Sequence, residues 1–365
     1  MPNDRIGPTQ AAVLLLAFTL GSSVMFIPSP ALAAAGTLTW LSVLVSGSVG
    51  LGLLGCVLYL HRRHRGRSLV AYYREVFGRW LAAPLLLWLM LVLVLMIANI
   101  VVGMGNFFTS TMMVDTPLFY LHAPVLLAAA CTARAGIEVA ARLFMLFLNV
   151  IVLMIIVILA VNLPNYQPQL LLPQYAPSTL PVLHGAYVLY GFPYSEVFVF
   201  GLLLEHVRLR QRVAVGRALV GALLSNIVLF AGIVLCAGMT FGPLSGQRSY
   251  VLYELARMIE LTGTVERIES IAGIVLIAGS YIKATIAFIA LHRCMARFFQ
   301  LKQSRALILP LSLAILFISL TMFKSGTKAQ EYWTSLWPMI TSTCVLPLLA
   351  AAVLSAFRRP PARSG

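Results

Sequence analysis

The run Leu14-Leu15-Leu16-Ala17-Phe18-Thr19-Leu20-Gly21-Ser22-Ser23-Val24-Met25-Phe26-Ile27 decides the fold. It is apolar, and with its flanks it reaches membrane length, yet Gly21, Ser22 and Ser23 interrupt the helical pattern at its middle. A second apolar stretch is interrupted in the same way at Tyr190-Gly191-Phe192-Pro193-Tyr194. Backbone in a bilayer leaves the helix only where protein or a water-filled cavity satisfies its N–H and C=O groups. Broken helices at matching positions of two halves therefore predict a small-solute site near the membrane midplane.

Around these breaks the chain is 60% hydrophobic and 10% charged over its 365 residues. That composition excludes a soluble globular domain and predicts an all-α polytopic membrane protein. Crossing the hydrocarbon core takes about 20 residues. Stretches of that kind fall near 9–33, 37–60, 81–113, 116–132, 143–162, 182–204, 213–241, 266–298, 304–323 and 331–357. About ten transmembrane helices are expected in a single domain over 1–365, with a first half near 9–162 and a second near 182–357. The breaks fall in segments one and six. Segments three and eight, each third in its half, are both long, which predicts tilt. A pattern that recurs five segments later is a five-plus-five repeat, inverted because each half has an odd number of spans.

The net charge of +15 is a topology signal rather than a nucleic-acid footprint. Arg5, the arginines at 62–79, Arg134, Arg142, those at 208–217, Arg293, Arg297, Lys302, Arg305 and the C-terminal arginines all fall on one side of alternating spans. The other side holds only Arg248, Arg257, Arg267, Lys324 and Lys328. The positive-inside rule then places both termini in the cytoplasm, with the lipid bilayer as surroundings and no nucleic acid as partner. Arg5, the apolar run 11–20 and Ala31-Leu32-Ala33 resemble a cleavable signal peptide. The run continues past Gly21 to Ile27, however, and reads as the first span. The five cysteines show no metal or disulfide spacing. Enzyme signatures are absent, and no cofactor motif is found.

Two ionisable groups sit well inside apolar segments: Glu196, just past the second break, and Lys283. Such groups normally face a bundle interior, as part of a solute or coupling site or as a buried structural ion pair, the alternative for Lys283 being to snorkel to an interface. Lys283, with Ser280 a turn before it, is the candidate ion-site or coupling residue, standing in for a metal cation where segments one and eight meet. The breaks offer free N–H groups for a carboxylate and free carbonyls for an ammonium, a pairing suited to an α-amino acid. Candidate substrate-binding residues are Gly21, Ser22, Ser23, Gly191, Phe192, Tyr194 and Glu196, with Asn106 added because Gly103 and Gly105 permit close helix approach. Asn99, Asn149 and Asn226 read as helix–helix hydrogen bonds. The stretch 69–80 predicts an amphipathic helix in the bilayer interface. The stretch 250–261 predicts an outer helix that caps a vestibule or plugs the loop surface.

Several stretches resemble the spore-germination receptor B subunit family, a branch of the amino acid–polyamine–organocation transporter superfamily. They are Ala133-Arg134-Ala135-Gly136-Ile137-Glu138-Val139-Ala140-Ala141-Arg142, preceded by Asp115-Thr116-Pro117, then Val265-Glu266-Arg267-Ile268-Glu269-Ser270 leading to Lys283, and the regions Leu69 to Gly78 and Tyr190 to Phe200. The resemblance covers nearly the whole chain. It implies a ten-helix fold like that of sodium-coupled amino acid transporters, in the inner membrane of a bacterial spore. It also implies a nutrient sensor that binds an amino acid and works with an A-type membrane subunit and a C-type lipoprotein. A proton-coupled amino acid permease is the alternative, and an assembly subunit with a vestigial pocket a third. The chain departs from the family pattern before Trp40, at Ser249-Tyr250, and in 271–283, where a usual tryptophan has no counterpart. These departures bear on ligand identity more than on fold.

Overall fold

The computed structural model describes residues 5–64, 66–172, 178–207, 212–258, 270–301 and 304–357. Among the described residues nine stretches are long and apolar enough to cross a membrane, and the shorter apolar helix Arg305–Thr321 precedes the last of them. Together they make the ten spans expected. Span 1 comprises α1 (Pro8–Leu20), α2 (Ser23–Phe26) and α3 (Pro28–Ala35). Spans 2 to 5 are α4 (Thr39–Arg63), α5 (Leu69–Thr111), α6 (Leu118–Ala135) and α7 (Ile137–Val161). Span 6 runs from α8 (Leu180–Leu189) through a π-turn at Tyr190–Tyr194 and a 3-10 turn at Ser195–Val199 to α9 (Phe200–Leu203). Spans 7, 8 and 9 are α10 (Arg212–Phe241), α12 (Ser270–Phe299) and α13 (Ile308–Thr321), with the short α11 (Val251–Arg257) between 7 and 8. Span 10 comprises α14 (Gly326–Glu331) and α15 (Trp337–Phe357).

The spans form two groups, and each group pairs a span with the one five places later. Spans 1, 2, 6 and 7 pack on one another, as α1 against α10 and α4 against α8 and α10. Spans 3, 4, 8 and 9 form the second group, with α5 along α12 and α13 along α5 and α6. Span 10 lies on α4, α5 and the broken part of span 6. Arginine side chains gather the ends of several spans at one face. Arg63 donates to the Ser355 carbonyl at 3.0 Å, Arg74 to that of Phe298 at 3.0 Å, and Arg297 lies 3.6 Å from Glu205. At the same face Ile6 N–H donates to the His206 carbonyl at 3.0 Å, tying the start of span 1 to the end of span 6.

Of two connecting helices, the first differs from expectation and the second takes one of its two expected forms. Residues 69–77 are helical, but Gly78 adopts φ 78°, so the long α5 is two helices joined at a kink. The apolar side of the first piece faces protein rather than lipid. Leu69, Tyr72, Tyr73 and Val76 are buried, Tyr72 stacks on His64 with centroids 5.3 Å apart, and only past the kink does Trp80 emerge at 92% exposure. The helix α11 is a buried plug. Its Val251, Leu252, Leu255 and Ala256 are fully covered, and Ser29 Oγ and Asn162 Nδ2 bond its two ends at 3.2 and 2.9 Å. The stretch Val265 to Glu269 lies outside the described residues.

Candidate functional site

Both breaks form where the sequence placed them, and each carries its own hydroxyl to satisfy the freed carbonyls. At the first, Gly21 leaves the helix at φ 10°, ψ −123°. Ser23 Oγ then donates to the carbonyls of Thr19 and Leu20, the latter at 2.9 Å. At the second, Phe192 is extended at φ −156°, ψ 106°. Ser195 Oγ donates to the Gly191 carbonyl at 3.0 Å and to Thr341 Oγ1 at 2.9 Å. This back-bonding is how short hydroxyl side chains replace a missing helical partner.

Between the breaks lies the ion pair. Lys283 Nζ from α12 stands 2.6 Å from Glu196 Oε2, and both side chains are 0% exposed. The contact is an ion pair by distance rather than a well-aimed hydrogen bond. Trp337 Nε1 donates to the other carboxylate oxygen at 3.0 Å. The ammonium also sits 3.4 Å from the Phe192 ring centroid and 5.1 Å from that of Phe18. Two opposite charges, two ring faces and an indole N–H thus replace the water that neither charge can reach.

Lys283 reaches this place because α12 meets span 1 backbone to backbone. A Cβ built on Gly279 would lie 2.6 Å from the carbonyl carbon and oxygen of Gly21, and one on Gly21 would lie 3.1 Å from the Gly279 carbonyl oxygen. Glycine at 279 is required for that approach, and at 21 a side chain would be tight. The neighbouring hydroxyls of Ser22 and Ser280 are buried without a hydrogen bond.

Glu196 and Phe192 form one wall of a narrow cavity of about 20 Å³ between spans 1, 3, 6 and 10. The other lining residues are Ser22, Phe26, Ile27, Met96, Asn99, Ile100, Trp333 and Trp337. Asn99 Oδ1 accepts from Trp333 Nε1 at 3.1 Å, while its Nδ2, on the side of Tyr332, meets no acceptor in hydrogen-bond geometry. Phe26 packs on Trp333 and Tyr250 with centroids 5.7 and 6.0 Å apart, forming an aromatic roof. Room for the roof comes from Gly103, whose Cβ would lie 3.0 Å from Phe26. A wider cavity of about 400 Å³, lined by Pro30, His184, Gln330, Glu331 and Thr334 among others, opens at the arginine-poor end. Trp333 and Thr334 face the two cavities in turn.

Of the residues singled out from sequence, Ser22, Phe192 and Glu196 line the inner cavity, with Lys283 directly behind. Gly21 shapes the approach of α12, and Ser280 lies beside it. Ser23 caps its own break, and Gly191 packs on Pro338. Tyr194 is buried against Gly50 with its hydroxyl unbonded. Asn106 stands apart from the cavity lining, near Gly326. Of the asparagines read as interhelical hydrogen bonds, Asn99 makes one, Asn149 lies exposed on α7, and Asn226 is buried with neither amide atom bonded. Phe26, Trp333 and Trp337 carry much of the cavity and were not singled out, and Asn99 also lines it although it reads from sequence as a helix–helix hydrogen bond. The one signal for them is the four-residue spacing of the two tryptophans.

A family model described as "Spore germination protein" matches residues 5–327. Spore germination protein KB of Bacillus subtilis (strain 168) is 23% identical over 325 residues, which is 88% of this chain and 86% of that protein. Spore germination protein XB of Bacillus anthracis is 24% identical over 286 residues, covering 76% and 77%. Among solved structures, MhsT in complex with L-phenylalanine aligns with a TM-score of 0.68 at 12% identity, over 96% of this chain and 98% of that one. Mhp1, a nucleobase-cation-symport-1 family transporter, aligns with a TM-score of 0.69 at 11% identity, over 93% and 75%. A sodium-coupled sialic acid symporter gives 0.68 at 11%, over 98% and 91%. At such identities the likeness is one of fold.

Proposed function

The chain belongs to the spore germination protein family, and on that premise we propose that it is the membrane subunit of a nutrient-germinant receptor, binding a small amino acid in the cavity beside Glu196. It is a polytopic membrane protein of receptor or transporter type rather than an enzyme. The observation that carries the reading is the narrow cavity between two broken spans, walled by the carboxylate of a buried ion pair and lined by the unbonded Ser22 hydroxyl. The L-phenylalanine bound to MhsT, a protein of the same fold, supports an amino acid as ligand.

Binding selects between states of the bundle in which the aromatic roof of Phe26 and Trp333 is open or closed over the ligand. The ligand signals only insofar as it binds one state better than the other. An A-type membrane subunit and a C-type lipoprotein read that shift. The arginine-rich face, at which spans 1 and 6 are tied by Ile6 and His206, is the cytoplasmic one, in the inner membrane of a spore-forming bacterium. A proton-coupled amino acid permease is the second reading, favoured by the likeness of the fold to symporters.

The test is a thermal-shift panel of amino acids on the purified protein, with Ile100→Phe as the filled-cavity control. Stabilisation of wild type but not of Ile100→Phe is the expected result, and a ligand that stabilises both equally refutes the cavity. Uptake of labelled ligand into proteoliposomes separates a permease, which accumulates it, from a sensor, which does not.

A further inference from the structure

We propose that Lys283 sets the charge class of the ligand: its ammonium fills the cation cradle of the cavity from behind, so the cavity accepts a ligand of zero net charge and refuses free amines. The proposal rests on the cavity being the ligand site. The cradle consists of Glu196 and Phe192, both of which line the cavity. A carboxylate beside an aromatic face is the chemistry that holds an alkylammonium ion. Here both are already taken, by Lys283 Nζ at 2.6 Å from Glu196 Oε2 and 3.4 Å from the Phe192 centroid.

The pair is fully buried and sums to zero charge. A free cation in the cavity would leave a second positive charge beside Lys283, and an anion a second negative charge beside Glu196. Neither excess charge would be solvated, which is the costly condition in a membrane interior. A neutral molecule or a zwitterion adds no such excess. The remaining wall, with Phe26, Ile27, Met96 and Ile100, is apolar apart from Asn99 and suits an aliphatic or aromatic side chain. The unbonded Ser22 hydroxyl offers a donor to an acceptor at the ligand's polar end. The selecting residue is carried by α12, whereas the cradle belongs to span 6. The close contact of Gly279 with Gly21 lets α12 deliver Lys283 there.

Removing the ammonium while keeping Glu196 should therefore convert the cavity into an amine site. The probe is n-butylamine, with n-butanol as its uncharged counterpart, on wild type, Lys283→Met and the double variant Lys283→Met/Glu196→Gln. Thermal shift and calorimetry are read on the full chain in detergent. Butylamine is expected to bind Lys283→Met at least about tenfold tighter than wild type or the double variant, because only there is a buried carboxylate left without its cation. Butanol is expected to distinguish none of them. Equal binding of butylamine to all three, or to none, overturns the proposal.

Should Lys283→Met fail to survive purification alone, it is purified throughout in butylamine and then exchanged into butanol. Unfolding on exchange supports the proposal, and loss of the protein in both buffers overturns it. The amino-acid panel on wild type is a separate readout. An amine switch without amino-acid binding upholds the cradle and rejects the amino acid. Amino-acid binding without an amine switch upholds the cavity and removes this role from Lys283.

Discussion

Alanine at Gly279 tests the backbone contact that brings Lys283 to Glu196. The new Cβ would lie 2.6 Å from both the carbonyl carbon and the oxygen of Gly21, and 3.1 Å from its Cα. All three are backbone atoms, so no rotamer change relieves the clash. Restoring an ordinary separation means moving α12 and the break apart by about 0.8 Å, an overpacking that costs ~1–3 kcal/mol in a packed interior. Alanine also gains ~1 kcal/mol of helix propensity over glycine, which offsets part of that loss. The matched control is Gly52→Ala in α4, where a Cβ meets nothing within 4 Å. There only the propensity gain operates, so that variant should be stabilised by roughly 0.5–1 kcal/mol. Gly279→Ala should thus fall below Gly52→Ala by about 1–3 kcal/mol, read as thermal midpoints by tryptophan fluorescence in one detergent. Its ligand-induced shift should shrink as well, because Ser22 moves with the break. A midpoint for Gly279→Ala equal to or above that of Gly52→Ala would refute the close-contact argument.

Two further outcomes are expected. Trp337→Phe removes the N–H that bonds Glu196 Oε1 at 3.0 Å and should destabilise by ~1.5–3 kcal/mol, the range for a hydrogen bond to a charged group. In a Glu196→Gln background the same change should cost less, and a double-mutant cycle with no coupling would contradict a direct bond. For topology, alkaline phosphatase fused after Gly246, between spans 7 and 8, should be active, and fused after Phe357 inactive. The opposite pattern would invert the membrane orientation read from the arginines.

Much of this molecule was legible in the sequence because a bilayer leaves the chain few choices. Every span must bury its own backbone hydrogen bonds, so apolar length alone locates the spans, including the short ninth. Gly21 and the Gly191-Phe192-Pro193 stretch cannot continue a helix smoothly, and both breaks stand where the residues put them. The pairing of Glu196 with Lys283 was a different matter. An apolar segment announces that a buried charge needs a partner, but the partner lies 87 positions away and on another helix group. Their contact depends on how close α12 comes to span 1, which is set by two glycines that sequence alone does not match to each other. The amphipathic stretch 69–77 shows the same limit. Its periodicity reports an apolar face, yet lipid and protein are equally apolar, so the packing of Tyr72 on His64 was decided by tertiary structure.

The cavity wall divides along that line. Ser22, Phe192 and Glu196 sit on the breaks and were found there. Phe26 and the two tryptophans are apolar residues among apolar neighbours, where nothing marks an inward-facing residue from a lipid-facing one, and the polar Asn99 reads only as a helix–helix contact. The sequence by itself determined the number of spans, the places where they break and the presence of two buried charges. The tertiary structure alone decided which charge meets which and what closes over them, because contacts between helices depend on distances that no local pattern encodes.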